Sequence, residues 1–225
     1  QQSCTISILS ILPPMTDKSV KHVGEFDRHY AAEQLRRSRH PIRRFVKNFY
    51  LRNILRDVRG PTIDFGCGAG QLLEHLPPGS VGLEVNPHLI EELRSSGLKV
   101  IQARQEIQDF ELIDFGDGSF RTLVIAHVLE HLPDPVTALR VLLGACLRLG
   151  IERVMVVVPG VKGFASDSTH KTFIERAYLE THMPKFIEGF GFSGLSYFPG
   201  PWEWVGRHFV FHELKIVFDR LSEPR

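Results

Sequence analysis

Three glycines at alternate positions, preceded by an acidic residue, form the segment of this 225-residue chain that is best suited to ligand chemistry. The segment reads Thr-Ile-Asp-Phe-Gly-Cys-Gly-Ala-Gly over residues 62–70. Glycine has no Cβ, so Gly66, Gly68 and Gly70 let the backbone turn sharply and let a ligand approach closely. The carboxylate of Asp64 would repel a phosphate group, and it therefore favours a cationic ligand.

A second acidic residue follows at a spacing that suits a nucleoside site. Glu84 ends the apolar stretch Val-Gly-Leu-Glu and lies fourteen residues beyond Gly70. An acid at the end of the strand after a glycine loop can accept hydrogen bonds from ribose hydroxyls. The loop and the acid together predict a nucleoside-binding crevice at the carboxyl edge of a parallel sheet.

The same residues resemble motif I and the ribose-binding acid of the class I S-adenosylmethionine (SAM) methyltransferases. A dinucleotide-binding loop would instead space its glycines as Gly-x-Gly-x-x-Gly. The resemblance covers roughly residues 60–220, and it implies SAM as cofactor and S-adenosyl-L-homocysteine as product. The cofactor contacts that it implies are Asp64, Gly66, Cys67, Gly68, Gly70, Glu84, Val85, Gln105 and His127.

The segment His-Val-Leu-Glu-His has two interpretations. On a helix it would match an inverted zinc-protease motif, with His127 and His131 as zinc ligands and Glu130 as base. In the methyltransferase family it resembles motif IV, at the tip of strand four and around the mouth of the site. The segment directly follows the predicted strand Thr122–Ala126, and Pro133 ends any helix two residues later. We therefore expect motif IV without a metal, and a zinc protease is the distant alternative.

The Asp-Ser-Thr-His segment at residues 167–170 carries groups suited to proton transfer. It resembles the Asp-x-Thr-His segment that many small-molecule and glycan methyltransferases carry after strand five. Histidine titrates near neutral pH, so we expect His170 to act as general base on an acceptor hydroxyl. A purely capping or surface role for His170 is the alternative. The expected catalytic residues are His170, Asp167 and His131, and the expected substrate contacts are Tyr30, Thr169, Lys171 and Tyr178.

The elements that must position these groups alternate between strand and helix, which predicts a parallel sheet covered on both faces. The resemblance implies a Rossmann-like, doubly wound seven-stranded sheet with an antiparallel hairpin at its end. The predicted strands are 62–65, 81–84, 99–102, 122–126, 153–158, 195–198 and 214–218. The predicted helices run from the glycine loop to Leu76, from Asn86 to about Gly97, from Asp134 to about Leu149, and from Glu175 to about Gly189.

The length predicts a single domain with a basic helical segment at its amino end. We expect residues 1–20 to be poorly ordered or foreign to the natural protein, because Met15 opens a plausible start. Residues 21–60 form the basic segment, with ten Lys or Arg and two acids between Arg28 and Arg59. Residues 61–225 form the SAM-binding methyltransferase domain.

These patterns favour O-methylation of a small molecule or glycan, including an anionic one, and no recognisable motif indicates nucleic acid. The alternatives are an RNA or protein methyltransferase that docks its substrate on the basic segment, and a SAM-binding regulator without catalysis. No apolar run approaches the length of a membrane helix. The three cysteines show no paired spacing, so we expect a reducing, cytoplasmic setting. We also expect a monomer or a homodimer.

Overall fold

The computed structural model describes residues 28–39, 41–104, 107–116 and 118–221. Its α-helices α1 to α6 are Arg28–Arg39, Pro41–Leu55, Pro87–Ser95, Pro135–Arg148, Val161–Ala165 and Arg176–His182. Its strands β1 to β8 are Thr62–Phe65, Val81–Glu84, Val100–Gln102, Thr122–Ala126, Arg153–Pro159, Phe186–Ile187, Phe190–Phe198 and Glu213–Arg220. Within these ranges, no helix is both long and apolar enough to span a membrane.

All eight strands belong to one mixed sheet, in the order β3-β2-β1-β4-β5-β8-β7-β6. Strands β1 to β5 pair in parallel, whereas β8, β7 and β6 add antiparallel to the edge of β5. The predicted Rossmann-like α/β fold with antiparallel last strands is confirmed. The sheet has one strand more than the seven expected, because Phe186–Ile187 pairs with the start of β7.

Two predicted helices differ from the observed elements. After the glycine loop the chain forms turns and a short 3-10 helix over Leu73–His75, rather than an α-helix through Leu76. Helix α6 ends at His182, and the residues expected to extend it instead form β6. Glu188 and Gly189 have φ of 47° and 77°, and two successive left-handed residues make the tight hairpin turn into β7.

The helices that follow β2 and β4 begin where the sequence predicted. The Asn86 side chain accepts hydrogen bonds from the backbone nitrogens of His88 at 2.9 Å and Leu89 at 3.4 Å, ahead of α3. Asp134 caps α4 by accepting from the nitrogen of Thr137 at 3.0 Å. A proline follows each cap at the first helical position, where its missing N–H costs nothing. Both caps lie at the carboxyl edge of the sheet, beside the candidate site.

Apolar side chains cover both faces of the sheet, as expected when central strands are parallel. Helix α4 packs its buried face on one side. Helix α2 packs on the other side, and the cluster that it forms there consists of Tyr50, Leu51, Ile54, Leu72, Val124, Met155, Val157 and Val217. A smaller cluster lies under the glycine loop and consists of Cys67, Leu73, Ile90, Leu93 and Val100.

A buried lysine fixes the position of α2 against the sheet. Lys215 is 4% exposed, and its Nζ donates to the Asn53 carbonyl at 2.7 Å and to Oδ2 of Asp57 at 2.6 Å. Because a buried ammonium must be paired, these contacts hold the end of α2 in one place. Among the described side chains of the basic amino-terminal segment, Ala31, Tyr50, Leu51 and Ile54 are buried.

Candidate functional site

The glycine loop, residues 66–70, follows β1 and turns beside the end of β2. Gly66, Gly68 and Gly70 have φ of 76°, 54° and 74°. A Cβ on Gly66 would lie 2.6 Å from Cγ2 of Val128, and one on Gly70 would lie 2.5 Å from Cδ2 of Leu93. The loop therefore requires glycine at these two positions for both conformation and space.

Glu84 holds this loop by its side chain. Its Oε2 accepts from the backbone nitrogen of Gly68 at 2.7 Å, and its Oε1 accepts from those of Val85 and Asn86, each at 2.9 Å. Burial raises the pKa of the Glu84 carboxyl, and the three N–H donors oppose that rise. A carboxylate offers roughly four acceptor sites, so one remains on Oε2 for a ligand hydroxyl.

Asp64 is the buried acid of the crevice. It is 3% exposed, and its Oδ2 has no hydrogen-bond partner within the described ranges. Burial raises the pKa of its carboxyl to about 7, the Lys47 ammonium opposes this rise, and Glu84 adds to it. A buried carboxyl with a free oxygen is costly unless it is protonated or meets a cation, so this position suits a positively charged ligand group.

The amino-terminal helices bring further groups to the crevice. A Cβ on Gly68 would lie 3.6 Å from Oε1 of Gln34 on α1. Burial lowers the pKa of Lys47 on α2, while Glu213 and Asp64 act in the opposite direction. The predicted substrate contact Tyr30 belongs to α1, but its side chain is outside the described part of the chain. The predicted adenine contact, Gln105, lies entirely outside it.

His127 follows β4 with a left-handed backbone, at φ 58°. Its Nδ1 lies 3.4 Å from Oε1 of Glu130, and its Nε2 lies 3.3 Å from Oε2 of Glu213. Partial burial alone would lower the pKa of the imidazole, but the carboxylates of Glu213 and Glu130 raise it to about 10. His127 is therefore a fixed cation at neutral pH.

The zinc-protease interpretation required an α-helix through the His-x-x-Glu-His segment. The positive φ of His127 breaks any such helix, and only the 3-10 turn Leu129–His131 follows. His127 and His131 consequently do not share a helical face, and that interpretation is wrong in its geometry.

Backbone hydrogen bonds join the two sequence motifs of the acceptor side. The nitrogens of Lys171 and Thr172 donate to the carbonyl of Glu130 at 2.8 and 3.0 Å. The Thr172 hydroxyl donates to the carbonyl of Leu132 at 2.7 Å. The loop after β5, residues 163–173, which we call the acceptor loop, is thereby tied to the motif at the end of β4.

This connection places two histidines side by side. The rings of His131 and His170 pack edge to face with centroids 4.7 Å apart, and we call these residues the histidine pair. Nδ1 of His131 lies 3.0 Å from the hydroxyl of Thr169, which in turn lies 2.6 Å from Oδ1 of Asp167. Four of the predicted acceptor-side residues, His131, His170, Thr169 and Asp167, therefore lie in one chain of contacts.

His170, the second residue of the histidine pair, faces the buried Glu130. Nδ1 of His170 lies 2.8 Å from the carbonyl of Phe164, and its Nε2 lies 3.9 Å from Oε1 of the fully buried Glu130. Neither carboxyl oxygen of Glu130 has a hydrogen-bond partner among the residues described. Glu130, His131 and His170 each offer one atom that can bind a cation, and these atoms lie within 4.8 Å of one another. The sequence led us to expect no metal here, and that expectation stays a prediction.

Two other predicted contacts lie apart from this cluster. The side chain of Lys171 is exposed, and Tyr178 stacks on His182 at 4.4 Å within α6. Within the described ranges, no contact joins either side chain to the histidine pair. Sequence reasoning also missed Glu213, whose only signal was an acidic residue at the start of the apolar strand β8.

Known proteins resemble part of the chain in sequence. Residues 63–150 match a family model described as a methyltransferase domain. The ubiquinone biosynthesis O-methyltransferase of Methylococcus capsulatus is 34% identical over 94 residues, which are 39% of this chain and 37% of that protein. Its namesake in Xanthomonas oryzae is 33% identical over 116 residues, 49% of this chain and 44% of the relative. The matched segments thus span less than half of either relative.

Solved structures share the fold over most of the chain. A SAM-dependent methyltransferase from Archaeoglobus fulgidus has a TM-score of 0.59 at 20% identity, covering 86% of this chain and 100% of the other. The magnesium protoporphyrin IX methyltransferase of Synechocystis PCC 6803, solved with bound S-adenosylhomocysteine, has a TM-score of 0.59 at 12% identity, covering 91% and 100%. Residues 63–150 therefore match a methyltransferase domain, and the chain shares the fold of SAM-dependent methyltransferases, as its glycine loop predicted.

Proposed function

We propose that this protein transfers the methyl group of SAM to a hydroxyl oxygen of a small molecule or glycan. The observation that carries the proposal is the meeting of two sets of groups at one edge of the sheet. The glycine loop and Glu84 follow β1 and β2, and the histidine pair follows β4 and β5. The names of the O-methyltransferase relatives support oxygen as the acceptor atom.

The cofactor half of the site would hold SAM by its charges and hydroxyls. Glu84 has one acceptor site left for the ribose. Asp64 offers an unpartnered carboxyl oxygen for the positive charges of the methionine part. Gly66, Cys67, Gly68, Gly70 and Val85 would then line the nucleoside through their backbone, and His127 would border the methyl group.

Methyl transfer is an in-line displacement, and the protein chiefly holds the acceptor oxygen and the methyl carbon in register. A hydroxyl acceptor also needs a group that takes its proton. In this proposal the histidine pair takes the proton. The pair includes His170, the base predicted from the sequence. Lys171 would meet an anionic group of the acceptor, because its side chain is exposed beside the pair in sequence.

We place the reaction in a reducing compartment, the cytoplasm, in a monomer or homodimer. The two cysteines within the described ranges, Cys67 and Cys146, are buried free thiols. Burial raises the pKa of both thiols well above the usual range. Neither is therefore a reactive thiolate, and both fit a structural role.

A label-transfer survey tests the proposal. The protein is incubated with methyl-labelled SAM and separate host fractions of metabolites, glycans, RNA and protein, with a Glu84→Ala variant as the matched control for cofactor loss. Label in the metabolite or glycan fraction, absent with the variant, is the expected result. Label in RNA or protein would show that the acceptor is a macromolecule of that class instead. Binding of S-adenosylhomocysteine without any methyl transfer would indicate a regulator.

A further inference from the structure

We propose that His131, rather than His170, accepts the proton of the acceptor hydroxyl, and that Thr169 and Asp167 position it. This inference rests on the proposed function and assigns its proton-transfer step to one atom, Nε2 of His131. Three observations carry it: the direction of the hydrogen bonds, the exposure of the two rings, and the charges around them.

The hydrogen-bond chain selects the tautomer of His131. The Thr169 hydroxyl donates its single proton to Oδ1 of Asp167 at 2.6 Å. Its oxygen can therefore only accept from Nδ1 of His131, which lies 3.0 Å away. The proton of neutral His131 is then on Nδ1, and Nε2 carries the lone pair that a general base needs.

The two histidines differ in their access to an acceptor. The side chain of His170 is only 8% exposed, its Nδ1 bonds to the Phe164 carbonyl, and its Nε2 faces Glu130. His131 is partly exposed, and its Nδ1 already meets the Thr169 hydroxyl. Nε2 of His131 is therefore the ring nitrogen left for an acceptor hydroxyl, whereas the ring of His170 packs against it.

The charges around His131 suit a base that is neutral at rest and charged after transfer. Partial burial lowers the pKa of His131, with Glu130, His170 and Asp167 as the titratable groups that face it. The carboxylate of Asp167 also accepts from the nitrogen of Thr169 at 2.9 Å, which fixes its position. It can therefore stabilise the imidazolium through the threonine, as the acid of a catalytic triad does for its histidine.

The proposed methyl transfer conserves atoms, electrons and charge. A lone pair of the acceptor oxygen attacks the methyl carbon of SAM, and the carbon–sulfur bond breaks with its electron pair moving to sulfur. The sulfonium becomes the neutral thioether of S-adenosylhomocysteine. The hydroxyl proton moves to Nε2 of His131 and later leaves to water, so that the products are a methyl ether and the neutral enzyme.

Histidine nitrogen-15 NMR tests the arrangement without any acceptor. The nitrogen shifts distinguish the two neutral tautomers, and we expect His131 to carry its proton on Nδ1. Thr169→Val removes the acceptor of that proton and should mix the tautomers, whereas Thr169→Ser keeps the hydroxyl and should preserve the single tautomer. The proposal is overturned if neutral His131 carries its proton on Nε2, or if its tautomer is the same in Thr169→Val as in the wild type.

Kinetics on the fraction labelled by the wild-type protein test the role. His131→Gln should lower kcat at least 100-fold, the size typical of a general base, with SAM affinity unchanged by calorimetry. His170→Gln should lower it less than tenfold, and Thr169→Val should shift the pH profile of kcat while Thr169→Ser restores it. Normal turnover in His131→Gln overturns this inference alone, whereas a wild-type protein that labels no fraction overturns the proposed function as well.

Discussion

The two halves of the candidate site are built in different ways. On the cofactor side, Glu84 accepts three backbone N–H groups and the glycine loop adopts left-handed angles at Gly66, Gly68 and Gly70. On the acceptor side, His131, Thr169 and Asp167 contact one another through side chains that are at least partly exposed. The first half is set by the backbone, and the second by side chains on loops.

This difference has a physical consequence. A loop held by backbone donors and by left-handed glycines tolerates few residue types, because conformation and space both restrict it. A chain of side-chain hydrogen bonds at a partly exposed surface can be changed at one member without disturbing the fold. We therefore expect substitutions on the cofactor side to reduce stability and SAM binding together, and substitutions on the acceptor side to affect turnover.

Replacement of Glu84 should give the largest effect. Glu84→Ala leaves the nitrogens of Gly68, Val85 and Asn86 without their acceptor and removes the proposed ribose contact. A hydrogen bond to a charged group is worth about 1.5–3 kcal/mol, so loss of the ribose contact should lower SAM affinity by about 10- to 100-fold. Isothermal titration calorimetry with SAM measures the loss.

The matched control for this change is Glu84→Gln, which keeps the shape and one carbonyl acceptor but removes the charge. We expect its affinity to lie between those of Glu84→Ala and the wild type. Wild-type affinity in Glu84→Ala would show that the cofactor does not bind at this acid, and the proposed crevice would have to be abandoned.

Alanine substitutions at two glycines distinguish the cost of a left-handed backbone from the cost of overpacking. Gly70 and Gly97 have φ of 74° and 83°, but a Cβ on Gly70 would meet Leu93 at 2.5 Å, whereas one on Gly97 would meet nothing within 4 Å. Left-handed strain costs about 1–2 kcal/mol and overpacking about 1–3 kcal/mol. Urea unfolding should therefore show Gly70→Ala to be destabilised by about 2–4 kcal/mol and Gly97→Ala by about half of that. Equal losses would mean that Leu93 moves aside freely.

The same contrast explains what could be predicted from sequence. The glycines, Glu84 and the caps Asn86 and Asp134 were identified because one residue type at one spacing has a local backbone consequence. The partners of His127 were not identified, because Glu213 approaches from β8, far along the chain, and only the antiparallel pairing of β8 with β5 brings it there.

One error in the predicted elements has a local cause. The apolar pattern after Glu175 fits a helix, but the left-handed pair Glu188 and Gly189 turns the chain into β7. The prediction of His170 as the base used residue type and position alone, and it stays a prediction. Our proposal of His131 uses contacts that the sequence does not reveal: Nε2 of His170 lies 3.9 Å from Glu130, whereas Nδ1 of His131 lies 3.0 Å from the Thr169 hydroxyl.

The pH dependence of SAM binding should show a smaller effect, which tests the charge of Asp64. Its carboxyl has a pKa of about 7 instead of a value near 3.8, because it is buried. The positive charge of SAM favours the ionised form, so binding below pH 7 must release a proton. Affinity should rise roughly tenfold between pH 6 and pH 8 and level off above that.

Asp64→Asn is the control, and calorimetry across this pH range should show an affinity that hardly changes with pH. The free energy of unfolding of the cofactor-free protein should instead fall as the pH rises. Between about pH 4 and pH 7 the Asp64 carboxyl is ionised in the unfolded chain but holds its proton in the folded one, so folding loses stability through this pH window. An affinity for SAM that is flat with pH in the wild type would place the sulfonium away from Asp64.

The smallest expected effect is that of a chelator, and it tests the acceptor side. Glu130, His131 and His170 place three possible ligand atoms within 4.8 Å of one another. His127, held as a cation by Glu130 and Glu213, already balances the nearest carboxylates. We therefore expect EDTA to leave both the melting temperature and the methyl transfer unchanged. Loss of transfer that added Mg²⁺ or Zn²⁺ restores would make Nε2 of His131 a metal ligand, and the proton would then leave from a metal-bound hydroxyl instead.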